Sequence, residues 1–325
     1  MGSDVDGTTL LVASTGGHLE QLWRLRGRLV PDLDGGAEWV TFDTDQARSL
    51  LDGERAHFVR YVAPRDYRSL TANLPAVARI LGGRRPVRLI STGAGIALPF
   101  FTLARALRVP CHYIESSARS EGPSFTGAVL SRVPGVRLYT QYPGWATGRW
   151  TYRGSVLDGF TSVERERPAR AARVVVTLGT MRTYGFRRAV ERLAHVLPEV
   201  VGPDADILWQ VGASDVSGLP VSGRETVPAR ELRAAVRAAD LVVTHAGIGS
   251  ALMALEAGRR PVLLPRRVAH GEHVDDHQTL IAGELAGRGL AISREADEVS
   301  AEDLFAAMGG RVVPAANPEP FHLLD

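Results

Sequence analysis

The stretch Thr244–Ser250 has the residue types of a turn that holds an anion. The apolar run Leu241–Val243 before it is typical of a buried strand, and strong helix formers follow it. Gly247 and Gly249 let a ligand approach the backbone closely, while the free amides and the dipole at a helix start attract phosphate. Ser250 could donate a further hydrogen bond, or it could cap the helix of an ordinary strand-to-helix connection. The turn alone leaves both interpretations open.

Polar residues elsewhere in this half favour a nucleotide. Glu256 falls near the carboxyl end of the helix, where its charge opposes the helix dipole. Binding a ribose hydroxyl would explain this position, and a solvated surface side chain is the alternative. Thr180 and Arg182 follow the apolar run Val174–Thr177, in a loop at the end of a strand. We expect both to contact phosphate, although Arg182 could also lie in solvent.

The loop 270–278 combines three histidines with three acidic residues, which is a composition that metal sites use. However, it contains no H-x-x-x-H pair on a clear helix, and we therefore expect no metal. We expect Asp276 to cap a helix instead, with His277 and Gln278 in a polar first turn that faces the ligand.

The first half of the chain offers two candidates for a general base. His18 closes a turn in which Gly16 and Gly17 permit close approach of a ligand, and it stands at a helix start. The dipole there favours the neutral imidazole, which could take a proton from an attacking hydroxyl. Glu115 follows an apolar strand and is the rival base. A capping or exposed histidine and a surface ion pair between Glu115 and Arg119 are the alternatives.

Short apolar runs alternate with helical patterns along the chain, which predicts an α/β fold with mainly parallel sheets. Ligands bind beyond the carboxyl ends of such strands. In the first half we expect strands at Thr9–Ser14, Glu38–Phe42, Phe58–Val62, Val87–Ser91, Cys111–Ile114 and Val136–Thr140. In the second half we expect them at Arg173–Thr177, Ile207–Gln210, Thr226–Val227, Leu241–Thr244, Val262–Leu264 and Ala291–Ile292.

Length and composition predict two domains. A chain of 325 residues fits two domains of ordinary size. Residues 158–172 are charged, contain proline and lack an apolar period, so we interpret them as a linker. The linker would separate an N-terminal domain, 1–157, from a C-terminal domain, 173–325, with the last residues packing back on the N-terminal domain. Two such Rossmann-like domains would face each other across a cleft.

Bulk composition narrows the class of protein. The chain is 45% hydrophobic and 23% charged, which excludes disordered and collagen-like classes. Cys111 is the single cysteine, so no intrachain disulfide and no thiolate metal site can form. The sequence shows no signal peptide and no long apolar run, and we expect a cytoplasmic protein.

Charge is distributed unevenly along the chain. All 38 basic residues are arginine. Residues 1–156 hold 19 of them against 13 acidic residues, a net charge of +6, whereas the remainder carries −4. The basic half suits an anionic acceptor or membrane surface, and it lacks the interleaved aromatics of nucleic-acid platforms.

The second half resembles a known family of sugar transferases. The motifs V-T-L-G-T, W-Q-V-G, A-D-L-V-V-T-H-A-G-I-G-S, E-A-G-R-R-P and D-D-H-Q resemble the donor-binding half of Alg13-type UDP-sugar transferases and, more distantly, the C-terminal domain of MurG. The resemblance implies a UDP-sugar site lined by Thr180, His245, Gly247, Gly249, Ser250, Glu256, His277 and Gln278.

The first half resembles the Alg14 partner through S-T-G-G-H-L-E-Q-L, T-G-A-G-I-A-L-P, Y-I-E-S-S-A-R and T-Q-Y-P-G-W. The whole chain is thus similar to an Alg14–Alg13 fusion, a MurG-like family 28 transferase with the GT-B fold. The resemblance implies inverting transfer of GlcNAc, galactose or glucuronic acid to a lipid-diphosphate acceptor, without metal or cofactor. It also implies that Glu115 matches the family's central acidic motif.

The chain departs from this family at its start, because only Met1–Thr8 precede the first expected strand, where the eukaryotic partner has a membrane anchor. The apolar and basic stretch Leu74–Arg88 could replace the anchor as a peripheral membrane contact. A core-packed helix is the alternative, in which case the acceptor would be a soluble secondary metabolite.

Two other classes of function stay open. One is a UDP-sugar 2-epimerase, which shares the two-domain architecture, and the other is a non-catalytic partner subunit that binds a nucleotide sugar. A dinucleotide-dependent dehydrogenase is excluded, since no G-x-G-x-x-G follows the first expected strand.

Overall fold

The computed structural model describes residues 7–29, 33, 36–62, 71–83, 86–181 and 183–324. The chain divides into two compact units, one formed by Met1–Asp158 with Asn317–Asp325 and the other by Gly159–Ala316. Each unit has its own parallel sheet, which confirms the predicted α/β fold class. Within the described residues, every helix is too short or too polar to cross a bilayer.

The first unit is built on seven strands: β1 Thr9–Ala13, β2 Ala37–Phe42, β3 Ala56–Val59, β4 Arg88–Gly93, β5 Cys111–Ile114, β6 Val136–Thr140 and β7 Trp150–Tyr152. All pairings are parallel, and the strand order is β3-β2-β1-β4-β5-β6-β7. Central β1 is buried along its whole length, as expected for a strand inside a parallel sheet. The strand order reverses between β1 and β4, and ligands of doubly wound sheets bind at such a point.

Five described helices connect these strands: α1 Gly17–Leu25, α2 Asp45–Leu50, α3 Leu74–Gly83, α4 Ala97–Ala106 and α5 Phe125–Leu130. Two of them begin at side-chain caps, because the Thr44 hydroxyl accepts from Ala47 N and the Ser124 hydroxyl accepts from Gly127 N. Phe100 and Phe101 of α4 are fully buried in the apolar core of this unit.

The last residues of the chain pack on the first unit. Phe321 is fully buried, with its ring centroid 5.5 Å from that of Tyr139. Its amide donates to the Arg28 carbonyl at 2.7 Å, and Arg28 Nε donates to the Glu319 carbonyl at 2.8 Å. Leu324 N donates to the Tyr139 hydroxyl at 2.8 Å.

The second unit holds eight strands: β8 Phe160–Glu164, β9 Ala171–Thr177, β10 Val201–Gln210, β11 Gly223–Arg224, β12 Leu241–His245, β13 Val262–Leu264, β14 Ile292–Ser293 and β15 Gly310–Pro314. Six of them form a parallel sheet in the order β11-β10-β9-β12-β13-β14, which reverses between β9 and β12. The remaining two, β8 and β15, pair antiparallel in a separate sheet.

Its described helices are α6 Arg187–Val200, α7 Ala229–Ala238, α8 Ile248–Glu256, α9 His277–Gly287 and α10 Ala301–Met308. The apolar face of α6 enters the core through Val190, Leu193 and Leu197. A reciprocal capping box between Ser300 and Asp303 starts α10.

Several expectations from the sequence differ from the structure. The stretch interpreted as a linker, 158–172, contains β8, whose mostly exposed residues show no apolar period. The strand expected at Thr226–Val227 lies earlier, at Gly223–Arg224, and Val227 N instead bonds to Gln210 Oε1 at 2.9 Å. The third strand ends at Val59 rather than Val62.

Candidate active site

His18 lies in the first turn of α1, which follows the carboxyl end of β1 at the point where the strand order of the first unit reverses. Its Nδ1 is 2.6 Å from the Thr92 carbonyl oxygen, and the Thr92 hydroxyl donates to the His18 carbonyl at 2.7 Å. Because a carbonyl oxygen can only accept, Nδ1 carries the proton and Nε2 has a free lone pair. Burial lowers the pKa of His18, and the bond to Thr92 opposes this only in part. The ring is therefore a neutral base at pH 7.

Glycines surround this histidine. A Cβ at Gly93 would lie 3.2 Å from the His18 ring and from the Tyr113 hydroxyl, at a φ of +101° that favours glycine. Gly16 is the N-cap of α1 without a side-chain cap, and a Cβ there would meet nothing within 4 Å. Gly17 is exposed. The helix start beside His18 therefore has uncapped amides and open space for a ligand.

Glu115 is fully buried, unlike the partly exposed His18. Its carboxylate accepts four hydrogen bonds, from Ser116 N at 3.0 Å, Ser124 N at 2.8 Å, the Ser124 hydroxyl at 3.0 Å and the Tyr113 hydroxyl at 3.3 Å. Burial raises the pKa of Glu115, and the bonds from Ser124 and Ser116 oppose this. The carboxylate thus joins the loop after β5 to the start of α5.

Two buried glutamines that the sequence analysis did not single out hold the same loop. Gln21 Oε1 accepts from Ser117 N at 2.9 Å and from Gln141 Nε2 at 3.1 Å. Gln141 Nε2 also donates to the Glu115 carbonyl at 2.9 Å, and its Oε1 accepts from Val156 N at 2.8 Å. Both lie in the quoted motifs S-T-G-G-H-L-E-Q-L and T-Q-Y-P-G-W, which is the signal that could have identified them.

His245 lies at the carboxyl end of β12, where the strand order of the second unit reverses. A Cβ at Gly179 would lie 3.0 Å from its Cε1, and a Cβ at Gly247 would overlap the ring. Burial, then the nearby positive charge of Arg266, lower the pKa of His245 to about 4. The imidazole is therefore neutral at pH 7 and packs between two glycine-containing loops.

The helix that follows begins as an anion-binding turn would. Gly247 is the N-cap of α8, and no side chain caps it. Ser250 is partly exposed in the first turn, so the alternative in which it caps the helix is wrong. Gly249 is exposed, and a Cβ there would meet nothing within 4 Å. The amides of the first turn are therefore accessible to a ligand.

The remaining donor candidates occupy different surroundings. Thr180 is exposed in the loop after β9, and Arg182 lies outside the described residues. Glu256 is exposed at the last residue of α8, at the opposite end of the helix from the turn.

The loop after β13 differs from its expected form. Asp276 takes the N-cap position of α9, but its side chain accepts from Val268 N at 3.1 Å rather than capping the helix. Gln278 is buried, and its Oε1 accepts from Arg266 N at 3.1 Å, so it supports the loop instead of facing solvent. The His277 side chain is 29% exposed and is available to a ligand.

Three side chains of this loop could together hold a metal ion among the described residues. Ligand atoms of His273, Asp275 and His277 all lie within 4.8 Å of one another. The Asp275 carboxylate contacts Nδ1 of both rings, so hydrogen bonds within the trio already engage these atoms. The expectation of no metal stays a prediction.

Comparison with known proteins finds a family model that matches most of the second unit. Residues 173–307 match the model of the glycosyltransferase family 28 C-terminal domain. Over 322 residues, the chain is 27% identical to a UDP-N-acetylglucosamine--N-acetylmuramyl-(pentapeptide) pyrophosphoryl-undecaprenol N-acetylglucosamine transferase of Xanthomonas euvesicatoria, covering 89% of this chain and 70% of the relative. The chain spans only about half the length of further Xanthomonas relatives with this name, 53% for one of X. campestris.

Solved structures show the fold. MurG of Acinetobacter baumannii matches with a TM-score of 0.54 and 21% identity, over 92% of this chain and 89% of that one. The glycosyltransferase of kitacinnamycin matches with a TM-score of 0.55 and 21% identity, over 93% and 89%. A UDP-GlcNAc 2-epimerase of Methanocaldococcus jannaschii also has a TM-score of 0.55, at 10% identity over 92% and 91%. The fold is GT-B, whereas the finer resemblance to an Alg14–Alg13 fusion stays a prediction.

Proposed function

We propose, from the match of residues 173–307 to the glycosyltransferase family 28 C-terminal domain, that the chain is an inverting transferase that moves a sugar from a UDP-sugar to an acceptor hydroxyl. The observation that carries the proposal is the chemistry at the two points of strand reversal. At the first point, His18 is neutral and its Nε2 has a free lone pair. At the second point, the start of α8 contains Gly247 and Gly249 and has no side-chain cap.

The turn Gly247–Ser250 holds the diphosphate of the donor in this proposal. The first-turn amides of α8 have no side-chain cap, and anions bind such groups with help from the helix dipole. Hydroxyls of Thr180 and Ser250 add neutral donors, and we assign Glu256 to the ribose. These groups stabilise the departing UDP without a metal ion or cofactor.

His18 is the general base. Its Nδ1 donates to Thr92, so Nε2 takes the proton of the acceptor hydroxyl as that oxygen attacks the anomeric carbon. The bond to UDP breaks on the opposite face of the sugar, so a single displacement inverts the anomeric configuration. Glu115 is engaged by four donors, which supports a role in positioning the loop beside His18.

A lipid-linked diphosphate is the acceptor class that we propose first. Its anionic head suits the net charge of +6 on residues 1–156, and the relative from X. euvesicatoria is named for a pyrophosphoryl-undecaprenol substrate. Such an acceptor places the enzyme on the cytoplasmic face of the membrane as a peripheral protein. A secondary-metabolite acceptor is the second candidate, favoured by the match to the kitacinnamycin enzyme.

The proposal is tested by donor binding followed by transfer. A nucleotide that binds only the folded state raises the unfolding temperature, so UDP and UDP-sugars should stabilise the protein while ADP-sugars should not. Transfer is then measured as UDP release, in the presence of a chelator, with lipid-diphosphate or soluble acceptors. Conversion of UDP-GlcNAc in the absence of acceptor would identify an epimerase and contradict the proposal.

A further inference from the structure

The buried side chain of Arg266 joins the loops around the candidate diphosphate site. Arg266 is 1% exposed, and its two terminal nitrogens donate to carbonyls of two loops. Nη2 donates to Leu178 at 2.6 Å, while Nη1 donates to Tyr184 at 2.9 Å, Gly185 at 3.3 Å and Glu272 at 3.1 Å. The guanidinium carbon is 5.2 Å from the centroid of the Phe186 ring. Every one of these partners is neutral.

These contacts bridge the carboxyl end of β12. Leu178 and Tyr184 belong to the loop after β9, and Glu272 belongs to the loop after β13. Strand β12 lies between β9 and β13, and it ends at His245. Leu178 is followed by Gly179, which packs against the His245 ring. One guanidinium therefore fixes the two loops that flank the turn Gly247–Ser250.

Glu272 interacts electrostatically with Arg266, but its carboxylate is hydrogen-bonded to other donors. Glu272 receives Arg188 Nε and Nη2, both at 3.0 Å, and the amide of Arg267 at 3.0 Å. An arginine stays charged even when buried, and a buried charge is costly unless an opposite charge offsets it. The described donor candidates include no arginine, and His245 is neutral. Among the described residues around this site, Arg266 thus supplies a buried and permanent positive charge.

We propose that Arg266 is the positioning residue of the donor site, and that its buried charge gives the site its preference for the diphosphate over the nucleoside. This inference rests on the proposed function, which supplies the diphosphate as the anion. It gives the Arg266 side chain two roles, which are to hold the loops in place and to attract the charged diphosphate of the donor.

The test measures the affinities for UDP and for uridine of wild type, Arg266→Gln and Arg266→Lys. Arg192→Gln is the control. Arg192 also donates to a carbonyl, that of Val299, but belongs to α6. A unit charge acting over several ångströms at an effective dielectric of about 20 changes anion binding by about tenfold or more. Arg266→Gln should lose at least this factor for UDP and leave uridine binding within about twofold, while Arg192→Gln changes neither.

If the substitution only disrupted the fold in general, the binding of UDP and of uridine would weaken by the same factor, and that result would overturn the inference. Arg266→Lys keeps the test decisive if the Gln variant does not fold. It should retain the preference of wild type for UDP over uridine, and loss of that preference would count against the charge.

A second readout does not depend on nucleotide binding. Removing the charge of Arg266 should raise the pKa of His245 above its wild-type value, while burial, the larger cause, still holds it below 6.5. NMR titration of the imidazole measures this change. Arg266→Lys should leave this pKa low. If wild type binds neither UDP nor uridine, the proposed donor is wrong, and an unchanged His245 pKa in Arg266→Gln would overturn the inference separately.

Discussion

A histidine acts as a base only when its ring is neutral and one nitrogen has a free lone pair. At His18 the carbonyl of Thr92 fixes the proton on Nδ1, and burial disfavours the charged ring. Their positions in the sequence made His18 and Glu115 nearly equal candidates for the general base. The surroundings of their side chains separate them, because the Glu115 carboxylate is fully buried under four donors.

We predict that His18→Ala lowers kcat by about 100-fold or more, the usual contribution of a general base, while UDP affinity stays unchanged. The base must be unprotonated, and its pKa is shifted below 6.5. Wild-type kcat/KM should therefore be level above pH 6.5 and fall as the pH drops through this lowered pKa. Rates across pH 4 to 9 and UDP titrations measure both effects.

Glu115→Gln is the matched control for this assignment. Its single amide oxygen can replace Oε2 and keep the bonds from Ser124, while the bond from Ser116 N to Oε1 is lost. Because the His18 imidazole is unchanged, the acid limb of the pH profile should persist at the same position. A Gln variant that loses the limb, together with a His18→Ala variant that keeps it, would reverse the two roles.

Sequence patterns located most strands that carry the candidate site. The strand expected at Cys111–Ile114 was placed correctly, as were those at Val136–Thr140 and Val262–Leu264, because each is a short apolar run between turn residues. Strands β7, β8 and β15 were missed. None of them is a continuous buried apolar run, since β7 is partly buried throughout and both β8 and β15 contain exposed residues. In addition, β8 pairs with a partner about 150 residues later in the chain, which no local period reveals.

Side-chain contacts were harder to foresee than strands. Gln278 was expected to face the ligand, but it is buried against the amide of Arg266. Arg266 itself gave no signal, since arginine supplies every basic residue of this chain. Its importance comes from carbonyls on loops that are distant in sequence and that only the folded chain brings together.

At the turn after β12, we predict that Gly247→Ala weakens UDP binding by about 5- to 150-fold, the range that corresponds to a typical overpacking cost of about 1 to 3 kcal/mol. A methyl group at this position would overlap the His245 ring and displace the start of α8. Isothermal titration with UDP measures the loss.

Gly283→Ala is the control for this substitution. Gly283 is exposed in α9, and a Cβ there would meet nothing within 4 Å, so this variant should bind UDP as wild type does. Equal affinity of Gly247→Ala and wild type would show that the turn does not hold the donor.

For the molecule as a whole, the chain ends on the unit where it begins, and this docking should contribute to stability. We predict that Phe321→Ala lowers the free energy of unfolding of the first unit by about 3 to 5 kcal/mol, as for other fully buried phenylalanines. Denaturant unfolding followed by tryptophan fluorescence measures the change. His322→Ala, at an exposed neighbouring position, should have little effect, and equal losses in both variants would refute the docking.

The central claim is a single displacement on a UDP-sugar, and the anomeric configuration of the product tests it most directly. The enzyme is incubated with an α-linked UDP-sugar that stabilises it and with a lipid-diphosphate or soluble acceptor, and the new linkage is determined by NMR. The account predicts a β-linked product that forms only when acceptor is present. An α-linked product, or a UDP-sugar isomerised without acceptor, would contradict it.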